Sequence, residues 1–274
     1  MTTLATAPAP ADHATRPFPL APACLPSGGI EAGSYALRFA RTVADLDEIL
    51  RLRFRVFNLE LNEGLDSAYA TGRDEDEFDA VFHHLMIVHR PTAEVVGTYR
   101  MQTSGMAATA RGFYSAGEFD FSGFPAPLLE ATVEIGRACV AREHRTGRVL
   151  HLLWRGLAEY LVWNRCHALF GCCSLTSQDP DLGVRAYRHL QRLGSEHPSV
   201  RLRPLPGLEC DSTDPAPGRP EPPVHIPALF QSYLTLGARI CGPPAIDRLF
   251  KTIDFLVLLD TRELDPAAFR TFFR

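Results

Sequence analysis

The sequence predicts a mixed α/β domain of the α+β type, in which helices flank a central sheet of parallel and antiparallel strands. Two patterns support this fold class. Strand-like runs at 84–90 and 94–102 are joined by a turn at Pro91 and Thr92, which is typical of an antiparallel hairpin. The order strand, helix, strand between residues 132 and 177 indicates a parallel crossover. With 274 residues, of which 46% are hydrophobic, the chain can bury a core of this size.

The first elements follow from local pattern. Apolar and polar residues alternate over 35–39, which predicts a strand. Thr42 and Asp45 have the spacing of a capping box, so we expect a helix to begin there and to run on apolar positions as far as Phe57. A polar, acidic loop over 62–79 then leads into the hairpin.

The second half begins with the run TVEIGRACV at 132–140, which is rich in β-branched residues and predicts a strand. Gly147 then opens a long apolar helix to residue 165, and 167–177 predicts a buried strand. Helices are expected over 181–194 and 226–242, and the apolar run 252–260 predicts the closing strand.

Proline marks two segments that we expect to lie outside the packed domain. Residues 1–33 are rich in proline and alanine and predict a disordered tail. Residues 211–223 predict an exposed, proline-rich loop. The remaining chain, 34–274, contains no internal repeat, so we expect one domain.

Composition excludes several functional classes. A net charge of −4 and a pI near 6.2 argue against a nucleic-acid partner. The sequence contains no apolar run that could span a membrane, no C-x-x-C pair, no H-x-x-x-H or H-E-x-x-H metal pattern and no G-x-S-x-G elbow. The surroundings of Cys172 and Cys173 are too apolar to activate a thiol. We therefore expect reduced cysteines in a cytoplasmic protein without a metal site.

Glu134 and Arg137 stand inside the strand-like run and form the first candidate pair. A regular strand would place them on opposite faces, whereas a bulge at Gly136 would bring them to one face. Such a bulge also frees backbone N–H groups that could stabilise an oxyanion. The alternative is a pair that neutralises itself near the end of a strand.

The turn before the long helix is the second candidate. Backbone N–H groups at a helix start bind phosphate, and Arg142, Arg145 and Arg148 surround Gly147 there. The alternative is a solvated basic loop. Farther upstream, Arg53, Asp76, Asp79 and Arg100 are charged residues that surface exposure would also explain.

Together these features resemble a known family. The segment from Thr132 to Arg165 is similar to the acyl-donor motif of the GNAT N-acyltransferases. The ordered set of Arg53 to Phe57, Asp76 with Asp79, Arg100, and Glu134 with Arg137 is similar to the signature of the acyl-homoserine-lactone synthases. Residues 35 to 260 resemble most strongly the ornithine N-acyltransferases that make lyso-ornithine lipid, also labelled haemolysin-like.

Two departures refine the resemblance. A GNAT turn that grips coenzyme A usually has Arg or Gln first and Gly or Ala last, whereas this chain has His144 and Val149 in those places. This departure agrees with a carrier-protein donor. The tryptophan that lactone synthases carry after their first helix is absent from the segment LNEGLD.

The resemblance implies a GNAT N-acyltransferase that moves a (3-hydroxy)fatty acyl group from the phosphopantetheine of acyl carrier protein to the α-amine of ornithine, without a metal or redox cofactor. It implies catalytic roles for Glu134, as base, and Arg137. It further implies acceptor contacts by Arg53, Phe57, Asp76, Asp79 and Arg100, with an aspartate on the cationic side chain. The implied donor contacts are Val140, Arg142, Arg145, Gly147 and Arg148.

Three alternatives remain open from the sequence. The acceptor could be another amine, the enzyme could be a lactone synthase, or the chain could be a non-catalytic haemolysin-like protein that binds lipid. Peripheral contact with the inner membrane is left open as well.

Overall fold

The computed structural model describes residues 18–211 and 223–273. Its strands are β1 (Ile30–Ala32), β2 (Tyr35–Phe39), β3 (His83–His89), β4 (Glu94–Thr103), β5 (Phe119–Asp120), β6 (Thr132–Val140), β7 (Ala168–Leu175), β8 (Arg203–Pro204), β9 (Arg239–Ile240), β10 (Ala245–Asp247) and β11 (Thr252–Asp260). Its α-helices are α1 (Val43–Arg53), α2 (Ala68–Thr71), α3 (Ser104–Thr109), α4 (Ala126–Glu130), α5 (Gly147–Asn164), α6 (Pro180–Arg192), α7 (Ala228–Thr235) and α8 (Pro266–Phe272).

A large mixed sheet forms the centre of the molecule, as predicted. Its strand order is β1-β2-β3-β4-β6-β7-β11-β10, with β9 paired to β11. The hairpin of β3 and β4 is antiparallel, and β6 and β7 are parallel across the α5 crossover. The short strands β5 and β8 form a separate pair. Both predicted supersecondary units are therefore confirmed.

Local capping fixes where the helices begin. Thr42 and Asp45 form the predicted capping box at α1. Beyond Arg53 the helix continues as a π-helical turn over Phe54–Glu60, in which the N–H of Leu61 bonds to the carbonyl of Val56. The side chain of Thr146 caps α5 by accepting from the N–H of Val149, so this helix begins at Gly147 as expected.

Helix α5 covers one face of the sheet, where Leu152, Leu153 and Leu157 pack against Leu37 and Leu85. The close approach depends on Gly156, because a Cβ there would lie 2.6 Å from the Leu85 side chain. Helix α1 packs on the other face. None of the helices within the described ranges is long and apolar enough to cross a bilayer.

Three expectations need correction or lie beyond the structure. The tail prediction is wrong from residue 18 onward, since 30–32 pair with β2 and Leu25 is buried in the core. The helix expected over 226–242 ends at Thr235, because Gly237 takes a left-handed φ of 98° before strand β9. Residues 1–17 and almost all of the predicted proline-rich loop, 212–222, fall outside the described chain.

Candidate active site

The candidate site is a cavity where β6 and β7 separate. The two strands pair only over Thr132–Glu134 and Ala168–Phe170, although both continue for several residues. Gly171 allows their close contact at the point of separation, because a Cβ there would lie 2.1 Å from the carbonyl oxygen of Ile135. The cavity has a volume of about 280 Å³ and is walled by residues 135–138 of β6 and 171–174 of β7.

A β-bulge in β6 shapes one wall of this cavity. Arg137 and Ala138 together oppose Tyr99 of β4, and Arg137 takes a left-handed φ of 48°. The sequence predicts this bulge at Gly136, and the structure has it one residue further along the strand. Its effect is the predicted one. Glu134 and Arg137 face the same side of the sheet, since both side chains bond to Tyr114.

Glu134 is buried against the cavity and accepts four hydrogen bonds. Oε1 accepts from the N–H and hydroxyl of Ser115 at 2.8 and 2.7 Å, and Oε2 accepts from the Gln102 amide at 2.7 Å and the Tyr114 N–H at 3.0 Å. Burial raises the pKa of the carboxyl, while the bonds from Ser115 oppose that rise. Because a carboxylate offers about four acceptor sites, no site is left for a direct bond to substrate.

Three arginines and three aspartates form a buried network beside the cavity. Arg53 bonds to Asp74 and Asp79, Arg100 bonds to Asp76 and Asp79, and Arg137 bonds to Asp76 at 3.0 Å. The guanidinium groups of Arg53 and Arg100 hold the pKa of Asp79 far below its ordinary range, against the effect of burial. The six charges balance, so the network as a whole carries no excess charge.

The network determines where the predicted acceptor residues lie relative to the cavity. Arg53 and Asp79 are buried and are not among the residues that line the cavity, so their contact with substrate stays a prediction. Both oxygens of Asp76 are engaged by arginines, which removes it as a free partner for a cation. Arg100 and Arg137 do line the cavity. The sequence reasoning missed Asp74, because its acidic neighbours indicated a solvated loop.

Aromatic rings hold the two cavity arginines in place. The Arg137 guanidinium lies 4.1 Å from the ring centroid of Phe250, and that of Arg100 lies 4.8 Å from the centroid of Phe82. Phe57, predicted from the ordered motif, lines the cavity and packs edge-on against Phe250. The rings thus fix the direction of both positive charges.

A second group of carboxyls lines the cavity or borders it, and the sequence analysis did not single it out. Its members come from four segments: Glu63, Glu118, Asp247 and Asp254. Burial and the charge of Asp247 raise the pKa of Asp254 to about 6, and burial together with Asp254 raises the pKa of Glu118. One signal was available, since Asp254 is a lone charge inside the apolar strand 252–260.

The other part of the cavity is apolar and lies on the opposite face of the sheet. Tyr99 and Tyr233 close it with a hydroxyl–hydroxyl bond of 2.7 Å. The remaining apolar wall comes from β7, α7 and β11, through Leu169, Cys173, Leu229, Phe230, Val257 and Leu259. The cavity therefore joins a charged branch and an apolar branch through the gap in the sheet.

The predicted donor turn lies at the start of α5. Arg142, Gly147 and Arg148 are exposed there. Arg145 is different, because its guanidinium forms a bidentate pair with Glu60 and its Nε donates to the carbonyl of Val140 at 3.1 Å. Within the described chain, Arg142 and Arg148 carry the unpaired positive charge of this turn.

Comparisons with known proteins agree with these observations. Residues 52–155 match the acetyltransferase (GNAT) domain family. The L-ornithine N(alpha)-acyltransferase of Agrobacterium fabrum is 32% identical over 83% of this chain and 81% of its own length. That of Brucella abortus is 33% identical over 83% and 84%. The solved AHL synthase LasI is 14% identical and covers 83% of this chain and 90% of its own, but a TM-score of 0.44 adds nothing to the assignment.

Proposed function

The chain belongs to the family of the L-ornithine N(alpha)-acyltransferases, and from that premise we propose that it transfers a 3-hydroxyfatty acyl group from acyl carrier protein to the α-amine of ornithine. The product is lyso-ornithine lipid. The observation that carries the proposal is the cavity at the β6–β7 gap, which joins an apolar branch to a charged one. A fatty acyl chain and an amino acid need these two environments, and the bond between them forms where the branches meet.

The donor enters through the gap in the sheet. Beyond Glu134, the edge of β6 that faces β7 has no strand partner, so its backbone groups can bond the amides of a phosphopantetheine arm. The first turn of α5 offers free N–H groups to the phosphate of the arm. His144 and Val149 stand where a coenzyme A turn has other residues, which favours a carrier-protein donor.

The acceptor lies in the charged branch. Arg100 and Arg137 line it. The Nε atom of Arg100 is buried without a hydrogen-bond partner in the described residues, and that of Arg137 lies 3.4 Å from Asp74 Oδ1. We propose that these guanidinium groups hold the α-carboxylate of ornithine, since planar guanidinium matches carboxylate geometry. The aspartates that bind them fix their direction and offset part of their charge.

Proton removal uses Glu134 through Ser115. The Ser115 hydroxyl donates to Glu134 and lies 3.7 Å from the thiol of Cys172, at the wall of the cavity. As the α-amine attacks, it passes a proton to this hydroxyl, and the hydroxyl passes its own proton to Glu134. The saturated carboxylate thus acts as base without releasing any of its other three donors.

The reaction balances without a cofactor. The lone pair of the amine nitrogen attacks the thioester carbonyl, and the tetrahedral oxyanion then collapses. The C–N bond forms, the C–S bond breaks, and the sulfur leaves as the thiol of the carrier protein after taking the proton. Backbone N–H groups at the bulge of β6 are our candidates for stabilising the oxyanion.

A cytoplasmic reaction, with peripheral contact of the protein at the inner membrane, fits an acyl carrier protein as donor and an amphiphilic product. The experiment that tests the proposal supplies purified protein with the same 3-hydroxyacyl chain on carrier protein or on coenzyme A, together with ornithine. Mass spectrometry of the products is expected to show N-acyl-ornithine, formed faster from the carrier protein. Absence of acyl-ornithine with both donors would refute the proposal.

A further inference from the structure

The charged branch contains negative groups that the proposed mechanism does not use. Three aspartates near the cavity are each bonded to arginines of the protein, so none of them is free to seat a cation. By contrast, no arginine or lysine in the described ranges pairs with Glu63, Glu118, Asp247 or Asp254, so these carboxyls are not already engaged by a protein cation. The cavity thus has a balanced charge network on one side and unbalanced carboxyls on the other.

We propose that Glu118 and Asp254, supported by Asp247 and Glu63, form a seat for the δ-ammonium group of ornithine. The inference rests on the proposed function and names the part of the site that selects a diamino acid. It replaces the predicted role of Asp76 and Asp79 on the cationic side chain, because the arginines occupy both of those carboxylates.

Unused acceptor atoms point to a ligand at this seat. Asp254 is 4% exposed and Glu118 is 6% exposed. Asp254 Oδ1 and Glu118 Oε1 are buried, and neither has a hydrogen-bond partner among the residues the structure describes. One ligand atom each of Glu118, Cys172 and Asp254 lie within 4.8 Å of one another, and Asp254 lines the cavity. One ammonium group, with three donors, can reach these atoms together.

Electrostatics favour a cation here. Burial and the charge of Asp247 raise the pKa of Asp254, although a hydrogen bond with Glu118 lowers it in part. Burial and the charges of Asp254 and Asp247 raise the pKa of Glu118, so leaving these carboxyls charged together is costly for the empty protein. A bound ammonium group would relieve this repulsion. The Cys172 thiol contributes no charge, because burial raises its pKa well above the ordinary value.

The seat also has the right relation to the rest of the site. The Tyr114 hydroxyl accepts from Arg137 and donates to Asp247, both at 3.3 Å, so a positive and a negative group flank one hydroxyl. The Ser115 hydroxyl lies 3.7 Å from Cys172 Sγ, which lies 3.7 Å from Glu118 Oε2. An ornithine with its carboxylate on Arg137 and its side chain at Glu118 therefore has its α-amine near Ser115.

The seat would determine which of the two amines of ornithine is acylated. A side-chain amine has an ordinary pKa of about 10, against about 8 for an α-amine. Carboxylates around the δ-nitrogen keep it protonated and therefore unreactive. The α-amine lies beside Ser115 and loses its proton there.

The test compares ornithine with norvaline, which has the same carbon chain but no δ-amine. We expect the wild-type protein to prefer ornithine by at least about 10²-fold in kcat/KM, because a site built around a polar group rejects an analogue that lacks it. Asp254→Asn and Glu118→Gln should raise KM for ornithine at least tenfold and leave KM for norvaline nearly unchanged. Asp120→Asn is the matched control, since Asp120 is exposed and lies outside the cavity.

A preference for ornithine that survives both substitutions would overturn the inference while leaving the proposed function intact. If the wild-type protein acylates no amino acid, the proposed function fails. The inference is then tested by whether the protein binds ornithine more tightly than norvaline. Thermal unfolding in the presence of EDTA, which excludes a metal at these ligands, should show a rise of several degrees with ornithine and none with norvaline. This rise should disappear in Asp254→Asn, and an equal response of the two proteins would contradict the seat.

Thermal unfolding also shows whether Asp254→Asn still folds. Because the pKa of Asp254 is raised to about 6 in the fold, its ionisation destabilises the fold as pH rises from about 4 to 6. Asp254→Asn should therefore unfold at a higher temperature than wild type at pH 8 and show little gain at pH 4. A lower unfolding temperature at pH 8 would assign Asp254 a structural role instead.

Discussion

The structure places Glu134 at the cavity, as a base requires, but its carboxylate has no free acceptor site. It was predicted as the base, and it does lie at the cavity wall. Its carboxylate, however, is already bonded to Ser115, Tyr114 and Gln102. This arrangement couples the proposed base to the segment that carries Tyr114, so Glu134 also holds that segment in place.

We predict that Glu134→Gln lowers kcat by about 10²-fold to 10³-fold, because a Gln cannot take the proton that Ser115 passes on. Ser115→Ala should lower kcat as well, by a smaller factor, since a water molecule can replace the hydroxyl. Steady-state kinetics across pH checks both, with thermal unfolding as the control for folding. Unchanged kcat in Glu134→Gln would remove the residue as base.

Individual charged residues were hard to assign because pairing depends on distant segments. Arg53, Asp76 and Asp79 have ordinary surface explanations in the sequence, and only the packing of α1 against β4 and the acidic loop brings them together. Asp254, by contrast, stands out in the sequence as an unusual charge. Its place in an apolar strand was visible, but the carboxyls around it come from segments that are far apart in sequence.

The gap between β6 and β7 is the element that gives the fold its site. The gap begins at Gly171, where the backbones of β6 and β7 are so close that a Cβ atom would clash with the opposite strand. The bulge at Arg137 turns the β6 wall towards the charged branch.

Gly171→Ala is predicted to abolish most activity, since the new methyl group must push β6 and β7 apart. Activity assays and thermal unfolding measure the loss, and we expect the unfolding temperature to fall too. Gly105→Ala is the matched control, because a Cβ there meets only the Thr103 hydroxyl at 3.8 Å. Normal activity in Gly171→Ala would show that the gap is not used.

The buried network ties α1, the acidic loop, β4 and β6 together. Asp79→Asn should lower the free energy of unfolding by about 3–5 kcal/mol, because it leaves the buried network with one uncompensated positive charge. The loss should be largest at neutral pH. Stability from a carboxylate with a lowered pKa is present above its unfolded pKa, near 4, and disappears as pH falls towards its value in the fold.

Chemical denaturation at pH 7 and at acid pH measures this effect. Asp66→Asn serves as the control, because the pair of Asp66 with Lys251 is on the surface. A loss no greater than that of the control would mean that the network does not hold these elements together.

Elements were predictable where the signal is local. The capping box at Thr42, the hairpin and the start of α5 depend on residues within a few positions of one another, and all were predicted. The residue with left-handed backbone in the bulge is Arg137. The sequence points to the neighbouring Gly136 instead, because glycine adopts that conformation more easily. Residues 30–32 were missed because a short edge strand is stabilised by its partner β2 and by contacts distant in sequence.

Across the molecule as a whole, the net charge of −4 hides a local basic surface. Arg142 lies in the turn after β6 and Arg148 in the first turn of α5, and both are exposed. The acyl carrier protein that we propose as donor is acidic and would be attracted to this turn. Arg145 in the same turn differs from them, because its guanidinium is paired with Glu60.

Arg142→Glu and Arg148→Glu are predicted to raise KM for acyl carrier protein several-fold while leaving KM for ornithine unchanged. The effect should decrease with added salt, because exposed charges are screened. Steady-state kinetics at two salt concentrations tests this, with Arg203→Glu on β8 as an exposed control. Equal KM values for the carrier protein in all variants would exclude this surface as the docking site.

The fold class and the family were both accessible from the sequence, since they depend on order and pattern along the chain. The division of the cavity into charged and apolar branches was not, because residues from β4, β6, β7, α7 and β11 form it together. That division is the basis of the account. It assigns the acyl chain, the α-amine and the δ-amine of ornithine to three separate places.

The most direct test is the position of the acyl group on the product. Tandem mass spectrometry of the acyl-ornithine made by the wild-type protein distinguishes acylation at the α-nitrogen from acylation at the δ-nitrogen. We predict a product acylated at the α-nitrogen alone, because the carboxyls at Asp254 hold the other amine as an ammonium ion. A product acylated at the δ-nitrogen, or a mixture of both, would contradict the account.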